Sequence, residues 1–132
     1  MSDEPGRRVL EFQGRFWTAG ELENSANRLA AGLQDIGVEA IDRVAVLLPN
    51  CPETVITYLA CFKANFVIVP LDYRHRSVQI GYSLAHSGAN VLIVHHQRIA
   101  ELEKEGVLKG VTHVLVVGGE QAESHHRSFD EF

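Results

Sequence analysis

The side chains able to do chemistry are few and scattered, and Cys51 is the first of them. It sits in Leu47-Leu48-Pro49-Asn50-Cys51-Pro52-Glu53-Thr54-Val55, where an apolar run stops at Pro49-Asn50. A thiol becomes a nucleophile when its pKa is lowered, as at a helix N-terminus, and when a base stands near it. A helix N-terminus is predicted here, but the sequence names no base. The same residues also read as a joint between a strand and a helix. Pro52 suits the first helical turn, where its missing N–H would have had no partner. Glu53 is favourable to the positive end of the helix dipole. Asn50 and Glu53 have capping-box spacing, while Pro52 turns Cys51 away from helical geometry, so Cys51 is the expected cap. The joint reading accounts for more of the residues than the nucleophile reading does.

Seven histidines, with the pairs His95-His96 and His125-His126, raise the question of a metal. Adjacent residues on a strand point to opposite faces, so His95 and His96 are not expected to share one ion. There is neither an HExxH nor a CxxC to supply ligands. The plain reading is of strand-end and tail histidines. Gly118-Gly119 lacks the further glycine and the lysine of a phosphate loop, and neither GxGxxG nor GxxxxGK[ST] occurs. No GxSxG elbow supplies a serine nucleophile. Arg74-His75-Arg76 is the one compact basic cluster in the folded region. It follows a strand, where α/β sheets bind ligands, and reads either as an anion contact or as a solvated loop with a capping role. The residues alone assign no catalytic, cofactor-binding or metal-binding position.

The elements that must carry these groups belong to an ordinary globular domain. The chain has 132 residues, 45% hydrophobic and 22% charged, with a formal net charge of −5. That length suits a single α/β domain over 1–132. Without a basic stripe, nucleic acid is not an expected partner. Apolar runs fall far short of the ~20 residues of a membrane span. No apolar stretch follows the basic start as in a secretory signal, and two cysteines make no disulfide scaffold, so a cytoplasmic setting is expected.

Val9–Phe12 and Arg15–Trp17 flank Gln13-Gly14 as a β-hairpin. Thr18 and Glu21 have capping-box spacing and open a helix with Leu22, Ala26, Leu29, Ala30, Leu33 and Ile36 on one face, closed by Gly37. Arg43–Leu48 is a buried strand. Glu53–Ala64 is a helix with Val55, Leu59 and Phe62 on its apolar face. Phe66–Val69 is a strand stopped by Pro70, and Ser77–His86 a helix facing inward through Val78, Tyr82 and Ala85. Val91–Val94, a helix over Gln97–Glu105 and a strand over His113–Val117 follow. Buried strands alternating with helices predict a three-layer, mostly parallel sheet with flanking helices and an N-terminal hairpin. Glu120–Ser128 reads as a polar loop, within a tail or linker over 120–132.

The order of these segments resembles a known family. The stretch from Phe16 to Arg76 is similar to the N-terminal region of the AMP-forming acyl-CoA synthetases, which are grouped with luciferases, coumarate-type ligases and peptide-synthetase adenylation domains. The family's T-x-x-E-L start reads Thr18 to Leu22 here, and its N-x-L-A-x-x-L-x-x-x-G helix reads Asn27 to Gly37. Its G-D-R-V-A and N-x-P-E pieces read Ala40 to Ala45 and Asn50 to Glu53. Its L-A-x-x-K-A-G-A-x-x-x-P-L piece reads Leu59 to Leu71, and Ser83–Val94 (SLAHSGANVLIV) matches a later segment. The match runs from about Val9 to Val117. Two turn glycines of the family are replaced, by Ile41 and Asn65. Asparagine tolerates the left-handed region, whereas isoleucine does not, so the turn at Ile41 must differ or be strained.

The resemblance implies the N-terminal part of the acyl-CoA synthetase-like fold. It implies a full-length ligase that uses ATP, Mg2+ and coenzyme A to convert a carboxylate to an acyl-adenylate and then to a thioester, as in fatty acid metabolism. The family's phosphate loop, [ST]SG[ST]TGxPKG, its ribose-binding aspartate and its catalytic lysine have no counterpart in 1–132, and Ser128–Phe132 resembles the linker toward that loop. The chain alone is therefore expected to be inactive and, lacking the rest of its fold, to self-associate. The alternatives are a free-standing, non-catalytic small-molecule-binding or assembly domain of the same fold and, with less support, a doubly wound nucleotide-binding domain.

Overall fold

The computed structural model describes residues 6–119 and 126–132. An antiparallel hairpin, β1 (Arg8–Phe12) and β2 (Arg15–Thr18), opens the chain. Its two-residue turn puts Gln13 (φ 51) and Gly14 (φ 81) in the left-handed region, the twist that hairpin strands prefer. Helix α1 (Ala19–Asp35) follows at once. The Glu21 N–H donates to Thr18 Oγ1 (3.1 Å) and the Thr18 N–H to Glu21 Oε1 (2.9 Å), completing the capping box. At the other end Gly37 takes φ 103, and the N–H groups of Gly37 and Val38 reach the carbonyls of Gln34 and Leu33. That pattern is a Schellman stop.

The remaining strands are β3 (Arg43–Leu47), β4 (Val67–Pro70), β5 (Val91–His95), β6 (His113–Val117) and β7 (Arg127–Ser128), and the helices are α2 (Pro52–Ala64), α3 (Ser77–Ser87) and α4 (His96–Lys104). Among the described residues the strands form one parallel sheet in the order β4-β3-β5-β6-β7. Helices α1 and α2 pack with Val44, Val46, Val91 and Ile93 on one face. Helices α3 and α4 pack with Ala45, Leu47, Leu92 and Val94 on the other. Strands β3 and β5 are almost wholly buried, as apolar runs between two helical layers must be. The expected three-layer α/β architecture is therefore present.

Two helix faces differ from expectation. Helix α2 buries Ile56, Thr57, Ala60 and Cys61, whereas Phe62 is 70% exposed and Val55 also faces outward. Apolar residues occur around most of this helix, so spacing alone offers two stripes. The stripe with small side chains wins because α2 lies close to both the sheet and α1. Thr57 is buried without penalty, since its hydroxyl donates to the Glu53 carbonyl at 2.7 Å. Helix α3 likewise turns Ile80 and Leu84 inward and leaves Val78 (75%), Tyr82 (70%) and Ala85 exposed. A Cβ at Gly81 would stand 2.8 Å from Val107 Cγ1, so close packing of the 105–112 connection selects this face. A third difference lies in the tail. Arg127–Ser128 is not loop but strand, paired with Leu115–Val116, and Phe129–Glu131 forms a 3₁₀ turn with Phe129 buried.

Ile41 is the strained residue anticipated at the replaced glycine. It sits at φ 73, held by its N–H to the Asn65 carbonyl (2.8 Å), while Asn65 itself closes α2 at φ 61. A β-branched side chain in this region costs about 1–2 kcal/mol, and Ile41, at 63% exposed, recovers little by packing. Against the backbone-entropy cost of glycine, roughly 0.5–1 kcal/mol, Ile41→Gly should still stabilise the chain and raise Tm by about 2–4 °C. A thermal melt in which Ile41→Gly lowers Tm would show that the turn is not strained.

Candidate functional site

Strand β3 has its sequence neighbour β4 on one side and β5 on the other, so the chain reverses its direction across the sheet between them. In open parallel sheets the crevice at such a reversal, beyond the strand carboxyl ends, is where ligands bind. Two residues singled out from the sequence, Cys51 and His95, follow or end the two strands on either side of it.

Cys51 is the N-cap of α2, with extended backbone and Pro52 as the first helical residue. Asn50 and Glu53 do not form the capping box their spacing allowed, and no side chain caps this helix. The thiol is half-buried, 3.5 Å from Thr54 Oγ1, whose hydroxyl donates to the Pro49 carbonyl at 2.9 Å. Burial pushes the Cys51 pKa up; contact with Thr54 opposes this and the neighbouring Glu53 carboxylate adds to it. The helix N-terminus therefore does not produce a thiolate here. Cys61, buried against the sheet, is pushed up to about 12 by burial. The strand-to-helix joint is what this stretch builds.

His95 and His96 stand where β5 passes directly into α4, so strand alternation no longer separates them. Their rings lie 4.5 Å apart and tilted by 37°, correcting the expectation of opposite faces. His95 caps α4, its Nδ1 accepting from the Gln97 N–H (3.3 Å) with Tyr73 Oη 3.5 Å away. Burial lowers the His95 pKa, His96 lowers it further and Glu53 partly opposes both. Its imidazole is thus neutral near pH 7. Among the described residues no group of three His, Cys, Asp or Glu could hold a metal ion. Gly118 and Gly119 serve this corner by their smallness. Both have positive φ, and a Cβ on either would come within 2.9 Å of the His96 ring. His125 lies outside the described residues. His126 is buried, its Nε2 2.6 Å from Glu103 Oε1, which ties the start of β7 to α4.

The basic cluster is organised by a residue that sequence reasoning missed. Arg74 pairs with Asp72 (3.3 Å), whose pKa is lowered chiefly by hydrogen bonding from Arg74. Arg76 is the N-cap of α3, its N–H donating to Gln79 Oε1 at 2.9 Å. From α4, Arg98 donates to the carbonyls of Tyr73 and His75 (2.8 Å to the latter) and pairs through Nε with Glu101 Oε1 at 2.5 Å. Glu101 Oε2 in turn accepts from the Ser77 hydroxyl at 2.8 Å. With a side chain only 12% exposed, Arg98 clamps the 73–76 loop to α4. The planar guanidinium is suited to this because its donors diverge to several acceptors at once. Asp72 matches the charge of Arg74, and Arg76 takes the N-cap position of α3, which favours the capping-loop reading over an anion contact. Arg98-x-x-Glu101 spacing was a legible signal for an ion pair, but the two carbonyls were not.

This clamp has a pH signature. Arg98 first, and Ser77 second, hold the Glu101 carboxyl below its usual range. A carboxyl with a lowered folded-state pKa contributes stability above its unfolded value and loses it as pH falls through the folded one. Glu101→Gln should therefore lower Tm at neutral pH and shallow the fall in Tm below about pH 4.3. An acid limb as steep as that of the unaltered chain would show that Glu101 does not carry this linkage.

Comparison with known proteins places this geometry in context. The family model described as AMP-binding enzyme matches residues 1–131. Triostin synthetase I of Streptomyces triostinicus is 38% identical over 119 residues, which is 87% of this chain and 22% of that protein. Feruloyl-CoA synthase of an Amycolatopsis species is 38% identical over 108 residues, 80% of this chain and 22% of that protein. Among solved structures, an anthranilate CoA ligase in complex with anthranoyl-AMP superposes with a TM-score of 0.89 at 25% identity, covering 96% of this chain and 24% of that one. A long-chain-fatty-acid-CoA ligase from Archaeoglobus fulgidus gives 0.79 at 27% identity over 95% of this chain and 24% of that one. The chain thus spans roughly a fifth to a quarter of the length of these relatives. By the match along almost its whole length, it belongs to the AMP-binding enzyme family.

Proposed function

We propose that residues 1–132 form the first part of an ATP-dependent, AMP-forming acyl-CoA synthetase-type ligase, and that they have no ligase activity alone. The observation that carries the reading is the pairing of a family match over 1–131 with coverage of only 22% of the first relatives. The complete ligase would join a carboxylate to the AMP part of ATP with release of pyrophosphate, and pass the acyl group to the thiol of coenzyme A with release of AMP. The residues present do not fit Mg2+ and ATP. The carboxyl edge of the sheet presents a neutral imidazole, a protonated thiol and an Arg74 already paired to Asp72, and its glycines pack on His96. The part played by this chain is to build a rigid parallel sheet and its two helical layers. No helix among the described residues is long and apolar enough to cross a membrane.

The outward apolar side chains support a further part of this reading. Phe62, Val67, Val78 and Tyr82 are exposed large hydrophobics on α2, β4 and α3, and β4 is the end strand of the sheet among the described residues. In the complete ligase this surface would pack against other parts of the fold, and in the isolated chain it drives self-association.

Two measurements test these statements. Purified chain given a carboxylate, ATP and Mg2+ should catalyse no pyrophosphate exchange above background, and exchange by the chain alone would overturn the proposal. Sedimentation should show concentration-dependent association that is weakened in the double variant Phe62→Ser, Tyr82→Ser. A monomer at every concentration would contradict the packing role of that surface.

A further inference from the structure

A cavity of about 180 Å³ lies between the end of the hairpin, α1, α2 and the 3₁₀ turn at Phe129–Glu131. Four of the groups that line it have hydrogen-bonding capacity to spare. Trp17 Nε1 is buried and has no acceptor among the described residues. A buried donor in that state is rare and calls for an acceptor supplied by something else, such as a water or a ligand. Arg28 gives one hydrogen bond, to Ser25 Oγ at 3.3 Å, leaving most of its five donors unused. On the acceptor side, Glu53 has the Cys51 thiol beside its carboxylate, and the Asp130 carboxylate has no partner among the described residues. Phe129 and Phe132 complete the wall, with Phe132 lodged against α1 at Gly32, where a Cβ would stand 2.3 Å from its ring.

This lining is selective. Trp17 N–H and Arg28 suit a carboxylate, but two wall carboxylates would repel a simple anion. Glu53 and Asp130 suit an ammonium group, but a simple cation would leave the indole N–H without an acceptor. The volume, roughly six times the ~30 Å³ that one water occupies in the liquid, limits the occupant to a small molecule. We propose that the cavity binds a small zwitterion. Its carboxylate is held by Trp17 and Arg28, its ammonium by Glu53 and Asp130, and its hydrocarbon part by Phe129 and Phe132. This site is independent of the ligase reading, since it uses only residues of this chain.

Trp17 is the only tryptophan in the chain and lines this cavity, so indole fluorescence reports on its wall. The experiment titrates the 132-residue chain and its Arg28→Met variant with β-alanine, and in parallel with acetate and with ethylammonium. Thermal melts at each ligand concentration give a readout that does not depend on the indole. Arg28 is exposed, so its loss leaves the core intact, and circular dichroism of the variant checks this. The expected result is a saturable change in emission and a rise in Tm with β-alanine only, with affinity about tenfold weaker in Arg28→Met. A response in neither readout would mean that the cavity holds only water. An equal response to acetate or ethylammonium would overturn the zwitterion assignment, and so would a response unchanged in Arg28→Met.

Discussion

Everything in this fold depends on the pairing of β3 with β5. The two strands lie side by side in register, Val44 with Val91 through Leu47 with Val94, and are closed to water on both faces. Because β3 is central, the chain must leave it toward β4 on one side and return past it to β5 on the other. Right-handed crossovers then put α2 on one face and α3 on the other. The first helical layer, the second layer and the crevice at the reversal all follow from that arrangement. Loss of side-chain volume in β3 would be felt in both cores at once, since Val44 and Val46 belong to one and Ala45 and Leu47 to the other.

At the carboxyl edge, Cys51, His95 and the two glycines after β6 each take up a structural task. The Cys51 thiol stays protonated because partial burial and a nearby carboxylate outweigh the helix N-terminus. His95 spends its lone pair on capping α4, and the glycines after β6 make room for His96. Arg98 holds the loop that carries the basic cluster. Under the proposed ligase reading, such an edge is a scaffold on which other parts of the enzyme are positioned. That agrees with a family whose members extend well beyond the region matched here.

The sequence revealed features governed by local rules and concealed those that depend on distant partners. The Thr18–Glu21 box, the Gly37 stop, the hairpin turn at Gln13-Gly14 and the cap at Cys51 each depend on a few adjacent residues, and all are found as read. The strain at Ile41 was legible because a β-branched residue occupies a position that needs positive φ. The buried faces of α2 and α3 were misread because both helices carry two apolar stripes, and the choice is made by α1 and by Val107, far away in sequence. Strand β7 could not be read from Arg127–Ser128, since two polar residues become a strand only through the edge that β6 offers. The clamp by Arg98 spans 25 residues to the Tyr73 carbonyl, a partner that no spacing rule identifies.

Hydrogen exchange resolved by residue tests the dependence on β3 and β5 most directly. If this pair is the frame for both layers, the amides of Val44–Leu47 and Val91–Val94 should be the slowest to exchange, opening only with global unfolding. Amides in β7 and in the β1–β2 hairpin should open at lower free energy. Faster exchange in β3 than in the hairpin would contradict the account, because the two helical layers would then be holding together without the strands assigned to join them.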